Sequence, residues 1–68
     1  MNDEVLSLLQ REVLTHLAQG YPTERVLERC AITYPEFQDI VQLLKKKFQA
    51  RSIQEAVVCA FDLGIIQL

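Results

Sequence analysis

The sequence predicts an all-α fold in which four helices form one domain spanning residues 1–68. Three observations support this. Apolar residues recur at three- and four-residue steps along most of the chain, which is the period of an amphipathic helix. Capping boxes, glycines and a proline divide this pattern into four segments. No segment alternates apolar and polar residues, so a β-sheet is not expected.

The first two helices are predicted over about residues 7–19 and 22–30. The first begins with a capping box in which Ser7 is paired with Gln10, and Gly20 ends it, although a start as early as Asp3 stays open. Pro22 suits the first turn of the second helix, and residues 31–32 form the turn that follows it. The residues expected to face inward are Leu6, Leu9, Val13, Leu17, Val26 and Cys30.

The third helix, over about residues 34–48, has the clearest pattern in the chain. Thr33 and Glu36 form its capping box. Its apolar stripe consists of Phe37, Ile40, Val41, Leu44 and Phe48. The opposite face of its first two turns presents Gln38, Asp39 and Gln42. The beginning of this helix is therefore acidic and rich in amides.

The fourth helix, over about residues 52–64, is apolar nearly all round. Ser52 and Glu55 form a third capping box and Gly64 ends the helix. A helix of this kind needs two surfaces to bury. We expect one to be the domain core and the other a second copy, giving a homodimer through Ile53, Val57, Val58 and Phe61. The alternative is that Ile65, Ile66 and Leu68 fold back over the helix within the monomer.

Composition narrows the class of protein. A hydrophobic share of 50% suits one small core, and two glycines with two prolines argue against disorder. No apolar run approaches the roughly 18 residues of a membrane span. The beginning of the chain, residues 1–4, is acidic where a signal peptide would be basic. We therefore expect a cytoplasmic protein without a membrane partner.

Neither the cysteines nor the histidine indicate a catalytic or metal-binding role. Cys30 and Cys59 lack the spacing of metal ligands and are interpreted as reduced core thiols. His16 is the only histidine and has no Ser or Cys at a convincing spacing. There is no glycine-rich phosphate loop. We expect no enzyme activity, no catalytic residue, no metal and no cofactor.

Charge is more informative in its arrangement than in its sum of -2. Four of the seven bases lie close together, at Lys45, Lys46, Lys47 and Arg51, while the acids are spread over the rest of the chain. One interpretation is a solvated helix end, where cations oppose the negative end of the helix dipole. The other is a surface that contacts phosphate groups.

A short helix, a tight turn and a longer capped helix between two flanking helices is the order of a helix-turn-helix domain. The segments "REVLTHLAQGYP", "AIT", "LLKKKF" and "RSIQEAVVCAFDLGII" make this specific. From Leu6 to Ile66 the chain resembles, without a gap, the LuxR/GerE-type (NarL/FixJ-type) helix-turn-helix family. That resemblance implies double-stranded DNA as partner, with the third helix in the major groove and Gln38, Asp39 and Gln42 towards the bases.

The resemblance also implies a wider DNA-facing set and shows departures from it. The other members of the set are Thr33, Tyr34, Glu36, Lys45, Lys46, Lys47 and Arg51. The family usually has Lys at positions 24 and 38, His at position 40 and Arg at position 53, where this chain has Glu24, Gln38, Ile40 and Ile53; Lys47 is retained. Leu9 and Gln10 replace an Arg-Glu pair.

Two functions stay open. The chain is a stand-alone transcription regulator that binds DNA as a dimer, or it is a protein-interaction module that does not bind DNA. The module would act as an adaptor or as a dominant-negative partner of a related regulator.

Overall fold

The computed structural model describes residues 6–67 and confirms the all-α prediction. Those residues form four helices and no strand: α1 Leu8–Ala18, α2 Thr23–Cys30, α3 Tyr34–Lys47 and α4 Ile53–Asp62. Each helix end lies within two residues of its predicted position, the difference expected from fraying. The possible start of α1 near Asp3 and the position of Leu68 lie outside the described residues.

Two capping boxes form as predicted. At the start of α1, the Ser7 Oγ accepts a hydrogen bond from the Gln10 N–H, and the Gln10 Oε1 accepts one from the Ser7 N–H, both at 3.1 Å. At the start of α3, the Thr33 Oγ1 accepts from the Glu36 N–H at 3.3 Å, and the Glu36 Oε1 accepts from the Thr33 N–H at 2.9 Å. Both helix starts are therefore fixed by local side chains.

The expected capping box of α4 forms only in part. The Ser52 Oγ accepts from the Glu55 N–H at 3.2 Å. The Glu55 carboxylate does not return to Ser52 but accepts from the Arg51 N–H at 2.6 Å. The predicted box is incomplete because the Glu55 side chain reaches one residue further back and satisfies a different backbone amide. The carboxylate still lies at the positive end of the helix dipole.

The helices end at residues with left-handed backbone. Gly20 (φ +89°) and Gly64 (φ +75°) each follow the C-cap of a helix, where glycine adopts positive φ without steric cost. Ala31 ends α2 with φ +56°, a conformation that costs roughly 1–2 kcal/mol for a residue with a Cβ. The chain thus turns sharply between α2 and α3.

One core joins all four helices. Its buried members are Leu6, Val13, Leu14, Val26, Phe37, Leu44, Ala60 and Ile66. α1 packs against α2 and α4, and α3 packs against α4. No polar side chain of the described residues is fully buried, so hydrophobic burial is the main force that holds the helices together.

The C-terminal segment covers only part of α4. Ile66 is 3% exposed and belongs to the core, next to the fully buried Ala60. Val58 and Phe61 nevertheless stay 57% and 50% exposed. The fold-back alternative is therefore correct for Ile66, but it leaves part of the apolar surface of α4 open.

Candidate functional site

The first turns of α3 present the polar face that the sequence predicts. Gln38, Asp39 and Gln42 are all exposed, and we call these three residues the polar face of α3. Phe37 and Leu44 are buried on the opposite side of the helix. The core therefore fixes the rotation of α3 about its axis, and the capping box fixes where the helix begins.

Several predicted DNA-facing residues have structural partners. Thr33 and Glu36 are bonded to each other as the cap of α3. The Tyr34 ring stacks on Phe37, with the centroids 6.3 Å apart. The Gln38 Nε2 donates to the Tyr34 Oη at 3.3 Å. One N–H and the oxygen of the Gln38 amide are left for a ligand, whereas the Glu36 carboxylate is already engaged.

The predicted basic residues lie at the other end of α3. Lys46 and Arg51 are exposed and Lys45 is partly buried. With a rise of 1.5 Å per residue, Lys46 is roughly 15 Å along the helix axis from Glu36. The Lys47 Nζ donates to the Gln10 Oε1 at 3.2 Å, which ties the end of α3 to the start of α1. Sequence reasoning missed this contact because its partners are 37 positions apart.

The predicted dimer residues separate into two groups. Ile53 and Val57 are partly buried and pack against the core. Val58 and Phe61 are exposed, and we call them the apolar edge of α4. At least half of each side chain faces solvent, and an exposed apolar patch of this kind is typical of an interaction surface.

An open groove connects these two groups with α3. It has a volume of about 560 Å³ and lies between the end of α1, α3 and the first turns of α4. Its apolar wall includes Leu17, Phe37, Val41, Ile53, Val57 and Val58, and none of the described residues that line it is charged. The periodicity of single helices could not predict the groove, because three helices have to meet to form it.

Both cysteines are free thiols in the structure and both are partly buried. Burial raises the pKa of the Cys30 thiol, and the Glu12 carboxylate raises it further. In the part of the chain that the structure describes, no group of three or more His, Cys, Asp or Glu residues is placed to hold a metal ion. Over the same residues, every helix is too short or too polar to cross a membrane.

No protein-family model, curated protein or solved structure matches the chain. The resemblance to the LuxR/GerE-type family therefore stays a prediction that depends on motif spacing. The site has to be judged by its own geometry, because a fold does not determine a function. That geometry offers amides and a carboxylate on α3, bases at its C-terminal end, and an apolar surface on α4.

Proposed function

We propose that the chain is a stand-alone LuxR-type helix-turn-helix protein that binds double-stranded DNA as a dimer and regulates transcription. The observation that supports this is the polar face of α3, which a capped and core-packed helix presents directly after a short turn. A glutamine can bond both N6 and N7 of adenine, and a carboxylate can accept from N4 of cytosine. The three residues of the polar face thus have the chemistry needed to read bases.

Binding by a single copy should be weak. Lys45, Lys46 and Arg51 are the bases available near the end of α3, and Asp39 repels phosphate. If each absent phosphate contact costs on the order of 1 kcal/mol, three or four absent contacts weaken binding by roughly a hundred- to a thousand-fold. Two half-sites bound by one dimer recover affinity through effective concentration. The apolar edge of α4 is the proposed dimer surface.

A polarisation titration with mixed-sequence duplex DNA at two salt concentrations tests this proposal. We expect binding near about 50 mM salt that weakens steeply by about 200 mM. The double variant Lys45→Ala/Lys46→Ala should lower the salt slope by about one for each phosphate contact that is lost. The control Arg25→Ala removes one charge from α2, outside both the basic end of α3 and the other arginine cluster, and should leave the slope unchanged. No binding at the lower salt concentration contradicts the proposal.

The second candidate is a protein-interaction module, and the uncharged groove beside the apolar edge of α4 favours it. An amphipathic helix of a related regulator could lay its apolar face in such a groove. This candidate predicts assembly without DNA binding. The chain would self-associate, or form a mixed dimer with a related regulator, in the same buffer in which the duplex titration shows no signal.

A further inference from the structure

A polar recess lies between α1 and α2, on a part of the surface that the proposed DNA interface does not use. Its volume is about 360 Å³ and its lining residues are Arg11, Glu12, Thr15, His16 and Arg29. The four residues from α1 share one side of that helix because each lies three or four positions from another member of the set. No residue of α3 or α4 lines the recess.

Neither arginine of the recess forms an ion pair within 4 Å with a carboxylate of the described residues. Among the described residues, the ion pair within 4 Å joins Arg25 to Glu28, and neither of these residues lines the recess. The Arg29 guanidinium lies over the Tyr21 ring, with Cζ 4.7 Å from the centroid. This contact positions the guanidinium group and leaves its N–H groups available, so little further ordering is needed to bind an anion.

Tyr21 is itself held in place by α1. Its ring centroid is 5.4 Å from that of His16, and its N–H donates to the His16 carbonyl at 3.1 Å. The support for Arg29 therefore extends through Tyr21 to the end of α1, so the two walls of the recess are joined by packed rings.

The remaining recess residues include two acceptors for the hydroxyl groups of a ligand. The His16 Nδ1 is buried without a hydrogen-bond partner. The Thr15 hydroxyl donates to the Arg11 carbonyl at 2.8 Å and can only accept from a ligand. The Glu12 carboxylate is also an acceptor, and it would repel a bare anion.

We propose that this recess binds a small sugar phosphate, with its phosphate between Arg11 and Arg29 and its hydroxyl groups donating to Glu12 and Thr15. Two guanidinium groups match a phosphate through charge-assisted bonds. The carboxylate favours a ligand that also carries hydroxyl groups over inorganic phosphate. The ligand would bridge α1 and the end of α2, two residues before the Ala31 turn that leads into α3. The site does not depend on DNA binding.

Titration of the ¹⁵N-labelled full chain with ribose 5-phosphate tests this proposal. Up to about 10 mM ligand, a site with a Kd of about 1 mM should be nearly filled. We expect amide shifts around the residues of the recess, weaker shifts with inorganic phosphate and none with ribose. Arg29→Ala should raise the Kd at least roughly tenfold. Arg25→Ala removes the same charge from α2 outside the recess and should leave the Kd unchanged.

Three results would overturn the proposal: no shifts at the highest concentration, shifts centred outside the recess, or equal weakening by Arg29→Ala and Arg25→Ala. Arg29→Lys keeps the charge but loses the planar fork of the guanidinium, so it should raise the Kd by less than the tenfold expected for Arg29→Ala. This variant tests the site even if the alanine variant fails to fold. Glu12→Gln should reduce the preference for ribose 5-phosphate over inorganic phosphate. An unchanged preference contradicts the role assigned to the sugar hydroxyls.

Discussion

α3 and α4 are alike on the side that faces the core and different on the side that faces solvent. α3 buries Phe37 and Leu44, and α4 buries Ala56 and Ala60. Outward, α3 presents amides and a carboxylate, whereas the apolar edge of α4 presents an aliphatic and an aromatic side chain. Since one shared core explains both buried sides, the outward sides are free to differ, and the two proposed interactions depend on that difference.

Stability should differ most between a substitution of a buried apolar residue and one of an exposed apolar residue. Leu44→Ala in α3 removes a fully buried side chain and should lower the free energy of unfolding by about 2–5 kcal/mol. Val58→Ala on the edge of α4 should change it by less than about 0.5 kcal/mol when the monomer is measured. Urea denaturation at low protein concentration gives both values. A similar cost at the two positions would mean that Val58 is covered within the monomer.

The next effect concerns assembly. Phe61→Asp places a charge on the apolar edge of α4 and should raise the dimer dissociation constant at least roughly tenfold. Gln42→Asp places the same charge on the polar face of α3 and should leave that constant unchanged. Sedimentation equilibrium measures both. If Gln42→Asp disrupts the dimer and Phe61→Asp does not, the roles of the two helices are reversed.

The N-terminal caps of α3 and α4 should contribute similar stability even though the solvent-facing sides of the two helices differ. Thr33→Ala removes the acceptor for the Glu36 N–H, and Ser52→Ala removes the acceptor for the Glu55 N–H. Each should cost about 1 kcal/mol of unfolding free energy, measured by thermal or urea denaturation. Thr33→Ser is the control that keeps a hydroxyl acceptor and should cost much less. A negligible loss in Thr33→Ala would show that the core alone fixes the start of α3.

The smallest effect concerns the reactivity of Cys30, the last residue of α2. Because burial and then Glu12 raise the pKa of Cys30, its thiolate is disfavoured in the folded protein. In a Cys59→Ser background, iodoacetamide at about pH 8 should therefore alkylate Cys30 more slowly than an unstructured cysteine peptide. Glu12→Gln should increase the rate slightly. A rate equal to that of the peptide would contradict the environment described for this thiol.

The raised pKa also gives the sign of a stability effect. A thiol whose pKa is higher in the folded state stabilises the fold below the pKa that it has when unfolded. This contribution is lost as the pH rises through the pKa of the folded state. The stability that Cys30 contributes should therefore be lost only at alkaline pH. Denaturation of the unchanged protein and of the Cys30→Ala variant, measured across alkaline pH, tests this expectation. The difference between the two proteins should change in that range and stay constant at neutral pH.

Local features of the fold could be predicted from the sequence. The Ser7 and Thr33 capping boxes and the stops at Gly20 and Gly64 depend on residues at most a few positions apart. The stripe that includes Phe37 follows from helical periodicity. The bond from Glu55 to the Arg51 amide was not predicted, because two neighbouring amides compete for one carboxylate and spacing does not choose between them.

The sites depend on contacts between helices and were only partly predictable. The polar face of α3 lies opposite the apolar stripe of the same helix, so its exposure was predicted correctly. The engagement of Lys47 with Gln10, the groove beside α4 and the polar recess between α1 and α2 were missed. Each requires the relative placement of two or three helices, which neither periodicity nor charge spacing contains.

The most direct test adds duplex DNA to the ¹⁵N-labelled full chain at about 50 mM salt and maps the amide shifts. We expect shifts at Gln38, Asp39 and Gln42 and near Lys46, which disappear as salt is raised. Shifts around Val58 and Phe61 should follow dilution of the protein and not the addition of DNA. A spectrum that DNA leaves unchanged, or changes only along α4, contradicts the proposal that α3 reads DNA.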